Sequence, residues 1–205
     1  MSGFFMVYCF YNMKDLYMRI TGGELGGRKL STPKGGDIRP TTDKVRLALF
    51  NMLNSRGLVC DAYVMDAFCG TGSLGIEALS HGAKHVYFID KDVRAINLTK
   101  ENADILDLND SCSFFKRDVI KGFTESDAMN KFDLVFLDPP YHKNLIIPAI
   151  NSLIDKNCLS ENCHIIAETE KTVDLCKELE DVKSETELIV EKIYGSIKIS
   201  IIRVV

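Results

Sequence analysis

Between residues 61 and 205, short apolar runs alternate with longer amphipathic stretches. Runs of strand length fall at 63–67, 85–89, 112–115, 132–137 and 163–167, and helix-length segments separate most of them, around 74–81, 92–107, 144–155 and 171–180. Alternation of this kind, with the runs apolar enough to be buried on both faces, predicts a parallel α/β sheet. The last two runs, 186–194 and 197–205, are rich in β-branched residues and meet at Gly195-Ser196. So short a turn makes them antiparallel, which leaves the sheet mixed at its end. Upstream, residues 18–40 hold Gly22-Gly23, Gly26-Gly27, Pro33 and Gly35-Gly36, predicting a small β-hairpin or loop module. After Pro40, Thr41 or Thr42 can cap a helix whose apolar positions are Val45, Ala48, Leu49, Met52 and Leu53. Lys44 and Arg46 lie off that stripe and are expected to face outward.

Composition narrows this reading. The chain has 205 residues, 46% hydrophobic and 26% charged, which suits one large domain, or one with an appendage, and argues against disorder. No apolar run approaches the ~18 residues of a membrane span. The seven cysteines are odd in number and form no Cys-x-x-Cys pair; Cys158 and Cys163 lie closest, with no histidine at ligand spacing. Reduced thiols in a cytoplasmic protein are therefore expected, with no metal site. Residues 3–11 are apolar and aromatic, but no positive charge precedes them and no small-residue cleavage site follows before Lys14 and Asp15. Residues 1–17 are expected to be a dispensable extension, with Met18 opening the folded chain.

Net charge hides an asymmetry. The total is −4, yet residues 14–56 carry nine basic and four acidic side chains, leaving −9 on residues 57–205. A basic end on an acidic body suits a polyanion-facing surface.

The candidate chemistry sits at the carboxyl ends of the strands, where such sheets form their ligand crevice. The first strand runs into Asp66-Ala-Phe-Cys-Gly70-Thr-Gly72-Ser-Leu-Gly75-Ile-Glu77. Its glycines permit a tight turn and close approach of the backbone to a ligand. Asp90 follows Gly70 by twenty residues, the spacing at which a carboxylate reaches a cofactor ribose. Asp118 ends the third strand region and could accept from an adenine amino group. The fourth strand ends Asp138-Pro139-Pro140-Tyr141. Two prolines fix the backbone and remove two amide donors. The Asp138 carboxylate and Pro139 carbonyl can then take the N–H bonds of an exocyclic amino group while Tyr141 stacks on its ring. His142 and Lys143, just beyond, could touch phosphate.

Asp-Pro-Pro-Tyr after the fourth strand resembles the motif of amino-methyltransferases that use S-adenosylmethionine. More narrowly, the chain from Met18 resembles the RsmD family of 16S rRNA guanine-N2 methyltransferases. The resemblance rests on Met18-Arg-Ile-Thr-Gly-Gly, Gly27-Arg-Lys-Leu, Arg39-Pro-Thr-Thr-Asp-Lys-Val-Arg46, Leu49-Phe-Asn51, Asp66 to Ala78, Ser80-His-Gly-Ala83, Phe132 to Tyr141 and the Tyr194-Gly195 hairpin. It implies a Rossmann-like class I methyltransferase fold: a seven-stranded mixed sheet with an antiparallel C-terminal hairpin and a small N-terminal β-hairpin extension. Residues 18–56 would be the basic, RNA-facing hairpin and helix, with Arg28, Lys29, Arg39, Lys44 and Arg46 on RNA, and residues 57–205 the methyltransferase domain.

By motif, Asp66, Phe68, Gly70, Gly72 and Leu74 would line the methionine and ribose part of S-adenosylmethionine. Asp90 would bind the ribose, Asp118 the adenine, and Asp138, Pro139, Pro140 and Tyr141 the target base. The family's target is the guanine conventionally called guanine 966, and its partner is 16S rRNA, within a small subunit or assembly intermediate; a monomer is expected. Tyr141 stands where phenylalanine also occurs, so the expected role is stacking rather than its hydroxyl. The nearest rival is a DNA adenine-N6 methyltransferase with the same four-residue motif, which usually needs a separate target-reading region. An NAD-dependent oxidoreductase using Gly70-x-Gly72-x-x-Gly75 leaves the proline motif without a role. The intact motifs argue against an inactive RNA-binding assembly factor.

Overall fold

A computed structural model of the chain describes residues 18–32, 42–124, 126 and 130–205. Arg39 and the 1–17 extension therefore lie outside the described residues. The elements in order are β1 (Met18–Arg19), β2 (Lys29–Leu30), α1 (Asp43–Asn54), β3 (Tyr63–Ala67), α2 (Ser73–Ser80), β4 (His85–Asp90), α3 (Val93–Ile105), β5 (Cys112–Lys116), β6 (Phe132–Leu137), α4 (Ile146–Asp155), β7 (Leu159–Glu170), α5 (Leu175–Glu178), β8 (Thr186–Tyr194) and β9 (Ile197–Val204). Seven strands form one sheet in the order β5-β4-β3-β6-β7-β9-β8. β5 through β7 pair in parallel, while β9 runs antiparallel to both β7 and β8. β1 and β2 make a separate two-stranded antiparallel hairpin. The mixed sheet, terminal hairpin and small N-terminal hairpin match the expected fold class.

Strand periodicity sends successive side chains to opposite faces, and both faces are covered. Val64, Val86, Phe88, Leu134 and Phe136 meet α1, α2, α3 and the β1–β2 hairpin in one buried cluster. Met65, Tyr87, Ile89, Val135 and Leu137 meet α4 and α5 in the other. Met18, Ile20 and Leu30 of the N-terminal segment belong to the first cluster, so this segment shares its core with the sheet.

Two elements differ from their sequence outlines. β7 begins at Leu159, which pairs with Phe132 of β6; the exposed, polar Glu161 and Asn162 lie in the register shift before His164 pairs with Leu134. The expected helix over 171–180 shrinks to α5 and a single 3₁₀ turn, since the Asp174 side chain caps it by accepting from the Lys177 amide.

The outward position expected for Arg46 is overturned. Arg46 is fully buried, because positions 46, 49, 50 and 53 share the inner face of α1 with Val45. Its Nε donates to Glu77 Oε2 at 3.0 Å, and its terminal nitrogen donates to Asp43 Oδ1 at 3.0 Å and to the Arg19 carbonyl. Glu77, also buried, accepts from the Thr21 amide at 2.8 Å, the Thr21 hydroxyl at 2.6 Å and the Gly22 amide at 2.8 Å. Arg46 is thus withdrawn from any RNA surface. Lys44 is exposed, as expected.

Removing one partner of a buried pair strands the other charge, which typically costs about 3–5 kcal/mol. Arg46→Ala should lower stability by that order in urea unfolding. A loss under about 1 kcal/mol would show that the pair is not anchoring the hairpin and α1. A second expectation concerns Asp66, which lies in the buried part of β3. Burial, opposed by the Gly75 amide and reinforced by the Asp90 charge, pushes its carboxyl up to about 8. Its folded value lies above the unfolded one, so its contribution is most favourable below about pH 4 and is lost as pH rises to about 8. The slope is at most about 1.4 kcal/mol per pH unit. Asp66→Asn should therefore gain stability relative to the wild type between pH 5 and pH 8; a constant difference across that window would contradict the assignment.

Candidate active site

The turn leaving β3 is built by neighbours that take up its backbone groups. Asp66 Oδ2 accepts the Gly75 amide at 2.9 Å, tying the strand end to the first turn of α2. Asp90, at the end of β4, accepts the Gly70 amide at 3.2 Å and the Asp92 amide at 2.8 Å. Thr99 donates to the Gly70 carbonyl at 3.2 Å, and Asn102 donates to the Thr71 carbonyl at 2.9 Å. Gly72 has φ +76°, and a Cβ there would meet the Thr99 methyl at 2.5 Å. That glycine serves close approach of α3, and Gly75 similarly lets α2 settle on Phe88 and Val86 of β4. Phe68 holds φ +63°, an uncommon conformation for a bulky residue and one that clusters at functional sites.

These elements open onto a cavity of about 520 Å³ lined by Phe68, Gly70, Asp90, Lys91, Asp138, Pro139, Pro140, Tyr141, Leu145 and Glu168. A smaller recess of about 60 Å³ shares Phe68, Asp90, Lys91 and Leu145 with it and adds Arg117, Asp118, Val119 and Ile120. Asp118 also caps its own turn, accepting the Ile120 amide at 2.9 Å. The candidate residues from the loop, the second strand end and the proline turn thus converge on one space, with Asp118 in its annex. Asp66, Gly72 and Leu74 do not line it. Asp66 and Leu74 are buried, and Leu74 packs its side chain into the core.

Asp138 and Pro139 follow β6 directly. Burial, and next the charges of Glu168 and Asp66, hold the Asp138 carboxyl well above the usual carboxylate range. Tyr141 donates its hydroxyl to Glu168 Oε1 at 2.9 Å, so the ring is held at its edge as well as by its backbone. Glu168, in the buried part of β7, escaped the sequence reading. Its only signal was an acidic residue just after the apolar run 163–167. Asn102 and Thr99 were missed as well, because polar residues inside a helix carry no sign of their partners. Cys69 is buried with its thiol 3.6 Å from the Thr99 hydroxyl, and burial pushes that thiol up. A packing role follows. His142 lies 3.0 Å from Glu170.

Among the expected RNA contacts, Arg28, Lys29 and Lys44 are exposed. Arg28 donates to the Ile105 carbonyl at 3.3 Å. The segment carrying them is tied to α3, because Asn102 accepts the Ser31 amide at 2.7 Å and donates to the Ser31 carbonyl at 3.1 Å. Among the described residues, no cluster of metal-ligand type occurs, and no helix is long and apolar enough to cross a membrane.

Comparison with known proteins identifies the family. The model of a family described as conserved hypothetical protein 95 matches residues 18–203. The ribosomal RNA small subunit methyltransferase D of Haemophilus influenzae is 39% identical over 159 residues, covering 75% of this chain and 79% of its own. Its namesake in Escherichia coli K12 is 36% identical over 162 residues, covering 75% of each chain. The solved structure of Escherichia coli yhhF, provisionally named a methyltransferase, superposes with a TM-score of 0.75 at 29% identity, covering 92% of this chain and 98% of that one. With the family's match running from Met18 almost to the last residue, the chain belongs to this family, the RsmD family of ribosomal RNA methyltransferases.

Proposed function

We propose that this protein transfers a methyl group from S-adenosylmethionine to the exocyclic N2 of one guanine, of the guanine 966 type, in the 16S rRNA of the small ribosomal subunit. One observation carries the reading: the β3 loop, the Asp90 carboxylate and the Asp-Pro-Pro-Tyr turn share a single cavity of about 520 Å³. The donor set fits the cofactor. Asp90 and the adjoining Asp118 offer acceptors for hydroxyl and amino groups, and an acid-lined space suits a cationic ligand. When bound, S-adenosylmethionine supplies an electrophilic sulfonium methyl group. Asp90, Asp118, Phe68 and the Gly70 backbone would hold it, with Asp66 fixing the loop from below.

The remaining work falls to the proline turn. The guanine N2 lone pair is delocalised into the ring, which makes it a poor nucleophile. The Asp138 side-chain oxygen and the Pro139 carbonyl accept its N–H bonds and draw the nitrogen toward tetrahedral geometry, freeing the lone pair for in-line attack. Tyr141 stacks on the base and keeps it in register. Positioning and electrostatics carry the rate, with no covalent intermediate on the protein. The N–C bond would form as the S–C bond breaks, the sulfur leaving as a neutral thioether and the surplus N2 proton passing to solvent. The base enters unpaired or flipped. Arg28, Lys29 and Lys44 grip phosphate on the exposed face of the N-terminal segment.

A labelled-methyl assay on small-subunit RNA against DNA tests the substrate; transfer to DNA adenine instead would favour the rival amino-methyltransferase reading. Asp138→Ala should abolish transfer while sparing S-adenosylmethionine affinity within a few fold by calorimetry. Asp138→Asn keeps one acceptor oxygen and should retain measurable single-turnover transfer, whereas a general base would be lost equally in both variants. Full activity in Asp138→Ala would refute the site. Replacing Arg28, Lys29 and Lys44 together by alanine should weaken RNA binding and flatten its log–log salt dependence by about two units, each phosphate contact contributing about 0.7–0.9. An unchanged slope would place the RNA grip elsewhere.

A further inference from the structure

The register of β6 and β7 pairs Leu137 with Ala167. The next residue on each strand is therefore Asp138 and Glu168, side by side on neighbouring strands, which run about 4.8 Å apart. Both carboxyl groups line the large cavity, together with Pro139 and Tyr141. The Tyr141 hydroxyl, donating to Glu168 Oε1 at 2.9 Å, places Glu168 at the rim of the ring on which the target base stacks. A carboxylate offers about four acceptor positions, so it can serve the tyrosine and a base together.

The proline turn alone reads only an amino group, which guanine and adenine both carry. The two bases differ at the adjacent ring nitrogen: N1 of guanine bears a hydrogen and donates, whereas N1 of adenine accepts. An acceptor beside Asp138 welcomes the first and opposes the second. We propose that Glu168 is the base-selecting residue of this site, accepting the N1–H of guanine while Asp138 and the Pro139 carbonyl take the two hydrogens of N2. A protonated Asp138 carboxyl keeps an accepting carbonyl oxygen, so three acceptors then face three donors. With adenine, one carboxylate faces a lone pair, and a site built to pair a polar hydrogen rejects strongly the base that lacks it. The assignment rests on the guanine-N2 reading above.

The test compares small-subunit RNA carrying guanine at the target position with the same RNA carrying 2-aminopurine, which keeps the 2-amino group but has an accepting N1. The wild type should methylate the guanine RNA at least 100-fold faster in single turnover. Glu168→Gln places an amide that can donate to N1, and should narrow that ratio at least tenfold while leaving S-adenosylmethionine affinity, measured by calorimetry, within about twofold. Tyr141→Phe removes the hydroxyl that holds Glu168 and should narrow the ratio by a smaller factor. If the wild type acts on guanine but Glu168→Gln keeps the wild-type ratio, or loses both substrates equally, the assignment of Glu168 is overturned while the guanine-N2 reading stands. If the wild type is inert toward the guanine RNA, the guanine-N2 reading itself falls, and Glu168's role with it.

Discussion

A single buried carboxylate organises the first half of this molecule. Glu77, on α2, gathers donors from two separate parts of the chain: the Thr21 and Gly22 amides with the Thr21 hydroxyl, and the Arg46 guanidinium of α1. An ionised group so deeply placed is tolerated only when nearly every acceptor position is used. That demand fixes where the N-terminal segment and α1 can lie. Since α2 begins at the end of the β3 turn, the same carboxylate connects the N-terminal segment to the wall of the cavity. Asn102 supplies a second tie, bonded to Ser31 on one side and Thr71 on the other.

The site concentrates acidic groups where solvent is scarce. Asp66 and Asp138 each carry a raised carboxyl, burial being the largest cause and neighbouring acids the next. A compact cluster of this kind resists full ionisation by itself and favours a positively charged visitor. The N-terminal segment presents the opposite sign, with Arg28, Lys29 and Lys44 exposed. The chain thus separates two electrostatic tasks that its net charge of −4 conceals.

Much of this was legible in the residues. Periodicity located every strand of the seven-stranded sheet, because parallel strands buried on both faces leave continuous apolar runs. The Asp66 loop, Asp90 and Asp138-Pro-Pro-Tyr141 could be placed together because ligand crevices in such sheets gather at strand ends. Arg46 misled, since a charged residue at the border of an apolar stripe looks solvated until its partner is known. That partner, Glu77, lies 31 residues away and leaves no local trace. Glu168 was obscure for the same reason: its importance comes from standing next to Asp138 across a strand boundary. The polar opening of β7 hid only the start of that strand, where backbone pairing and not side-chain pattern sets the boundary. Side-chain pattern reports burial, and these features depend on pairing.

The position of β3 between β4 and β6 bears on how the site comes into being. The β3–β4 pair closes through a short connection containing α2, but the β3–β6 pair brings together Asp66 and Phe136, with two further strands of sequence between them. Loop closure of that length is entropically slow, and non-local parallel pairing comes late in folding. The half of the crevice lined by Gly70 and Asp90 can therefore form as a local unit of β3, α2 and β4. The half lined by Asp138, Pro139 and Tyr141 has no wall until β6 docks. Asp138, Pro139 and Tyr141 reach the cavity only with β6 seated beside β3, so the cavity is complete only when the central sheet is.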